Sequence, residues 1–413
     1  MLKWSKNDAI ETLLAFYQTI EPTADENEMK EKKWRGVYVD GKMAHAFYGE
    51  AELARAVAVF MANTSVADRY LPNAVESRIA DCLIEHKIKK LDDPKKAIEG
   101  LIVAIVDAKL ESLSVYMPAY GIDVPSGGVY SVGDFLFVPR DGYDALNFKA
   151  VFITNIKESI WGDFPHVAVT VLANDSAKAR EKALREFQWL ENAVRLFVGS
   201  DFYDFGITSF NFSHVENAVV ATSDGHFRGA SSHLKGAPHS MDFAYVFDSK
   251  KTLYKVVDAI GRQTKNLTPL QCRIRHAVYL GGLSAHEMSL PISYFLAVSA
   301  LETLFQVEVD KYVSPSIAQQ IVESFCYLIA DASHRRQTFE EMRSFYKRRS
   351  AVAHGGETDL SRRDVLLVRA YLRAAISKLL FDPVLSQIRT PQDLAEHIKN
   401  VKFGKRIDDS VRV

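Results

Sequence analysis

Cysteine is scarce. The three present in 413 residues, Cys82, Cys272 and Cys326, lie far apart and form no C-x-x-C pair. That excludes a disulfide framework and a zinc ribbon, and it fits a reducing cytoplasm. Long apolar runs are missing too: the stretch at residues 101–106 falls well short of the roughly 18 residues that a membrane helix requires. The opening MLKWSKNDAIETLL interrupts its apolar residues with Asp8 and Glu11, so it lacks the continuous apolar region of a secretion signal. Charge of one sign is not in excess, because 51 Lys and Arg stand against 52 Asp and Glu for a net charge of -1. Any polyanion site must therefore be local. There is no Gly-x4-Gly-Lys-Ser/Thr phosphate loop, no G-x-S-x-G elbow and no H-E-x-x-H pair, which removes the main support for those enzyme classes. What is present is 47% apolar and 25% charged residues, a globular composition with enough chain for two or three domains.

The charge is sorted along the chain. Residues 1–247 hold 26 basic and 34 acidic side chains, whereas residues 248–381 hold 19 and 13, a balance of +6. Polyanion-facing chemistry is therefore expected in the C-terminal third. Residues 1–110 read as mostly helical, from the spacing of Ile10, Leu13, Leu14 and Tyr17 and of later apolar groups. Residues 111–247 change to short β-branched and aromatic runs, SVYMPAYGIDV, GVYSVGDFLFVP, FKAVFITNI and HVAVTVLAN, joined by one amphipathic helix over residues 177–196. The 3.6-residue period returns over residues 248–385, and residues 386–413 read as a tail. The expected class is α+β, a mixed front followed by an all-α bundle. Helix starts are expected at Ser289 with Pro291, at Ser314 with Pro315, at a Thr338/Glu341 capping box and at a similar Ser361/Asp364 pair.

Between the last two starts lies FYKRRSAVAHGG, which carries Arg349 and His354 on one expected helix beside Lys347 and Arg348, with Gly355 and Gly356 placed to end it. A second Arg-x4-His pair, Arg228 and His233, falls in a Gly/Ser-rich stretch read as a loop that would hold neither side chain. The string RRSAVAHG, the helix SYFLAVSALETLF at residues 293–305 and the basic helix RIRHAVYLGGLSA at residues 273–285 together resemble the HEPN superfamily, in particular its ApeA-like branch. The resemblance covers about residues 265–381. It implies a bundle of four to five helices, a metal-independent ribonuclease with no cofactor, a catalytic Arg and His, and a site shared across a homodimer. It further implies a role in bacterial defence against phage, with a trigger sensed by the N-terminal region.

The residue types suit that chemistry. Cutting RNA without a metal requires the ribose 2′-hydroxyl to lose a proton and the 5′-oxygen to gain one, which an imidazole near neutrality can provide, and His354 is the candidate. A guanidinium offers a permanent planar fork to phosphate oxygens as charge builds, and Arg349 is the candidate. Five positions on a helix turn about 500°, so the two lie roughly 140° apart and meet only if the helix loosens or if a second copy supplies one of them. Ser350, at i, i+4 from His354, is a candidate to orient the imidazole; Glu302 is another, or else it pairs with an Arg inside the bundle, and Tyr346 is a supporting neighbour. Lys347, Arg348, Arg362, Arg369 and Arg373 are candidates for contacts to RNA phosphates, the last three alternatively a solvated helix face. Asp224, His226, His233, His239 and Asp242 have the composition of a zinc site but irregular spacing, and no metal is expected. The competing reading is a bundle that binds a nucleotide or a partner and dimerises without catalysis.

Overall fold

The computed structural model describes residues 4–23, 34–40, 42–142, 164–199, 205–207, 215–221, 227–234, 240–262, 266–306, 317–329, 333–355 and 359–403. The fold is α+β, with sheets in the N-terminal region and helices alone in the C-terminal one. The chain divides into two units, Met1–Val115 with Thr170–Ala183, and Tyr116–Val169 with Leu184–Val413. This division does not follow the boundaries at residues 110 and 247.

In the first unit, helices α1 (Lys6–Gln18), α2 (Glu50–Met61), α3 (Thr64–Arg69), α4 (Pro72–Ile88) and α5 (Pro94–Val106) close on a core that includes Leu13, Phe16, Phe60, Ile79, Leu83 and Ile98. The mostly helical expectation missed a three-stranded antiparallel sheet, β1 (Glu21–Thr23), β2 (Trp34–Val39) and β3 (Lys42–Phe47), in the order β1-β3-β2. Its sequence cause is the Asp-Gly between two alternating runs. A two-residue hairpin turn of this kind demands a left-handed residue, and Asp40 has φ 50°.

The chain continues through β4 (Glu111–Pro118), β5 (Ile122–Asp123), β6 (Tyr130–Val132), β7 (Phe135–Val138), β8 (His166–Ala173) and the long helix α6 (Ser176–Val198). Strands β6, β7 and β8 pair antiparallel. The run FKAVFITNI lies outside the described residues. Further on, β9 (Val215–Ala221) and β10 (Phe227–Leu234) form an antiparallel hairpin, so Arg228 and His233 stand on a strand and not in a loop. The ladder of backbone hydrogen bonds there overrides the Gly/Ser composition. A parallel bridge joins β11 (Met241–Asp242) to β5, and α7 (Phe243–Val246) and α8 (Thr252–Ile260) lead into the bundle.

The bundle consists of α9 (Pro269–His286), α10 (Leu290–Phe305), α11 (Ile317–Leu328), α12 (Arg335–Ala353) and α13 (Arg362–Phe381). Apolar residues that recur with the helical period are its core: Tyr294, Val298, Leu301 and Phe305, then Ile321, Phe325 and Leu328, then Val365, Val368, Leu372, Ile376 and Leu379, are all buried. Ser361 and Asp364 form the reciprocal capping box of α13, and an unexpected one, Thr268 with Gln271, starts α9. Ser289 precedes α10 with Pro291 in its first turn, though its hydroxyl makes no cap bond. Ser314 and Pro315 lie outside the described residues. The Thr338 box is corrected: α12 begins earlier, with His334 at its N-cap, and Thr338 lies one turn inside and buried. Arg335 stacks 5.1 Å from the Tyr327 ring, a contact that favours the extra turn.

Small residues let helices of this second unit meet closely. A Cβ on Gly282 of α9 would come 2.2 Å from the Asn192 carbonyl oxygen of α6, so only glycine fits there. The presumed tail is also corrected. A 3₁₀ turn (Leu385–Gln387) and α14 (Pro391–Lys402) bury Leu385, Leu394 and Ile398, and Lys402 Nζ reaches Glu323 at 2.7 Å. Its apolar stripe has somewhere to go. No helix among the described residues is long and apolar enough to cross a membrane.

Arginines serve as ties in this unit. Arg369 donates to Ser284 Oγ at 3.1 Å, to the Ser284 carbonyl and to Ser293 Oγ at 2.8 Å, which links α13 to the end of α9 and the start of α10. Hydrogen bonds from a charged donor contribute about 1.5–3 kcal/mol. Arg369→Met, which keeps the stem and removes the fork, is therefore expected to destabilise the protein by about 2–3 kcal/mol. A lower urea midpoint at unchanged slope checks this, and an unchanged midpoint contradicts it.

Candidate functional site

Helix α12 is the spine of the site. It remains regular to its end: the His354 N–H donates to the Ser350 carbonyl at 3.1 Å, the next N–H donates to Val352 at 3.2 Å, and Gly355 stops the helix at φ +73°. The possibility that the helix loosens before Gly355 is thereby removed. Arg349 and His354 keep their separation of about 140° around the axis and about 7.5 Å along it.

Arg349 forms part of the wall of an open groove of about 900 Å³ between the end of α10, the start of α11 and the later turns of α12. Its Nη2 donates to Glu302 Oε2 at 3.2 Å, and its Cζ lies 4.7 Å from the Phe295 ring centroid. The side chain is 29% exposed and that of Glu302 is 17% exposed. A guanidinium half withdrawn from water needs a counter-charge, and the carboxylate and the ring face provide one. Among the described residues one of the five N–H donors of Arg349 is hydrogen-bonded, and Nε is buried with no partner there. The group is held firmly while most of its donor capacity remains for an anion.

Tyr346 sits half-buried beside this pair. Burial, reinforced by the Glu302 carboxylate, pushes its phenol well above the ordinary range, so the hydroxyl stays protonated. Lys347 and Ser350 are exposed on the same groove, as are Arg343 and Ser344 one turn earlier. His354 is not among the groove's walls. It caps α12, its side chain is exposed, and its imidazole makes no hydrogen bond among the described residues, to Ser350 or to Glu302.

Thus Arg349, Glu302, Tyr346, Lys347 and Ser350 come together, and His354 stands apart. Of the two readings of Glu302, the pair with a bundle arginine is the one observed. The remaining candidates divide. Arg348 Nη1 pairs with Asp364 at 2.6 Å, which fixes the end of α12 to the start of α13. Hydrogen bonds from Ser361 and Arg348 outweigh desolvation and hold the Asp364 carboxyl below its usual range. Arg362 is exposed on the first turn of α13. Arg369 and Arg373 are corrected as phosphate contacts and as a solvated face. The first bonds to two serines, and the second donates to the Leu196 carbonyl at 3.0 Å, its pKa lowered by burial. The zinc composition gains nothing, since Asp242 caps α7 and Asp224, His226 and His239 lie outside the described residues. Among the described residues no three His, Cys, Asp or Glu side chains converge to hold a metal. Arg343 and Ser344 were missed from the sequence; the available signal was Arg343 at i, i+4 from Lys347.

No protein family, curated protein or solved structure matches the chain.

The buried phenols give a pH dependence. Burial raises Tyr346, Tyr294 and Tyr371 alike, so above about pH 10 each ionises first in the unfolded chain. Their contribution is complete below that pH and is lost as the pH rises beyond it, by up to about 1.4 kcal/mol per pH unit for each group. The fall in stability on alkaline titration is expected to be shallower in Tyr346→Phe, and a fall of equal steepness contradicts the assignment.

Proposed function

We propose that the chain is a metal-independent endoribonuclease that works as a homodimer, with Arg349 of one copy and His354 of the other facing one RNA linkage. The observation that carries this reading is Arg349 itself, clamped by Glu302 and Phe295 at a groove with further N–H donors unpaired among the described residues, on the helix that ends at an exposed His354. In the proposed reaction the ribose 2′-oxygen attacks the adjacent phosphorus and His354 accepts its proton. Arg349 stabilises the charge on the pentavalent phosphorane, and the 5′-oxygen leaves as a hydroxyl once protonated by an imidazolium. A straight α12 turns the two side chains to different sides, and a two-fold axis is the simplest way to bring them together. The resemblance to ApeA-like HEPN proteins supports this reading and extends it to phage defence in the cytoplasm, with the N-terminal region receiving the trigger.

A second reading, a bundle that binds a nucleotide or a partner without cutting, draws on the Arg349–Glu302 pair, which neutralises the guanidinium in the resting chain.

Arg349→Ala and His354→Ala are each expected to lower RNA cleavage in EDTA by at least 10²-fold. Mixed and allowed to exchange subunits, the two inactive variants are expected to recover about a quarter of the wild-type activity, because half the dimers then hold one intact site of two. Loss of activity without recovery on mixing contradicts the shared site. Full activity in both variants contradicts the nuclease reading.

A further inference from the structure

The cations of α12 differ in what they already hold. Arg348 is committed to Asp364, and Arg349 to Glu302. Arg343 and Lys347 are exposed, line the groove and make no ion pair or hydrogen bond among the described residues. They stand four residues apart on a regular helix, so they share a face with a rise of about 6 Å between them. That interval is comparable with the spacing of successive phosphates on an extended strand. Ser344 adds a hydroxyl on the same wall, and Glu340, one turn before Arg343, ends the run of positive charge.

From this placement we infer that Arg343 and Lys347 form a subsite for two consecutive phosphates of an extended oligoribonucleotide, on one side of the linkage held at Arg349. The Glu340 carboxylate repels the next phosphate, which sets the length of the subsite. The inference rests on the nuclease reading for the identity of the strand, but binding tests it without cleavage. Two unpaired cations one helical turn apart fit a linear polyanion better than a single compact anion, because each meets its own phosphate. Arg336 is an internal control, an exposed arginine on the same helix that does not line the groove.

The test is fluorescence anisotropy on the full chain with labelled, uncleavable 2′-O-methyl oligoribonucleotides of two, four and eight residues over a range of salt. Wild-type affinity is expected to rise about tenfold or more from the dimer to the tetramer, and less from the tetramer to the octamer. Arg343→Gln and Lys347→Gln are each expected to weaken tetramer binding about tenfold and to reduce the salt slope by about 0.7, the loss of one phosphate contact on a single strand. Arg336→Gln is expected to leave both unchanged. Equal weakening in all three variants, no gain from dimer to tetramer, or no binding at all overturns the subsite. If the wild type binds as described but cuts no RNA, the subsite stands and the nuclease reading falls. If cleavage is intact while binding ignores Arg343 and Lys347, the reverse holds.

Discussion

A guanidinium drawn partly out of water must find negative charge, and in the bundle that requirement ties two helices together. Arg349 finds Glu302 at 3.2 Å and the face of Phe295, both on α10, and α12 is thereby fixed against its neighbour with one edge of its arginine turned to an open groove. The Tyr294 hydroxyl, also on α10, donates to the Phe345 carbonyl at 3.2 Å and marks a second point where α10 and α12 are joined. A site built on two packed helices keeps its cation in place more rigidly than a loop does, which suits the proposed role of a group that acts by position.

The same requirement sorts the other basic residues into two populations. Arg275 is buried against Glu186 and stacks 4.3 Å from the Trp189 ring, while Arg369 and Arg373 close gaps between helices through serine and carbonyl oxygens. These side chains are structural, and their charge is spent inside the protein. Arg343 and Lys347 have no such duties. The basic balance of the C-terminal third therefore overstates the charge offered to a polyanion, and within the groove Arg343 and Lys347 are the exposed cations that remain available.

Much of this was legible in the chain itself. The helices of the bundle could be read because apolar residues recur with the helical period and because Ser361 and Asp364 cap α13 in the expected manner. Arg349, Glu302 and Tyr346 were also within reach, since local order on two helices suggests which residues face each other. Other features depend on partners distant in sequence. Nothing local distinguishes Arg369, which binds Ser284 and Ser293, from Arg343, which has no partner among the described residues, because both lie on charged helices. Thr338 has the residue types of a cap, yet Arg335 on Tyr327 accompanies a start one turn earlier. The β2–β3 hairpin carried a readable Asp-Gly signal that the surrounding helical pattern obscured.

The proposed chemistry hinges on whether the ribose 2′-oxygen is the nucleophile. A synthetic oligoribonucleotide incubated with the purified chain in EDTA, with its products identified by mass spectrometry, addresses this directly. The account requires 2′,3′-cyclic phosphate and 5′-hydroxyl ends, and no cut at a position carrying a single 2′-deoxy sugar. Products ending in 3′-hydroxyl and 5′-phosphate, or cleavage indifferent to the missing 2′-hydroxyl, would contradict it.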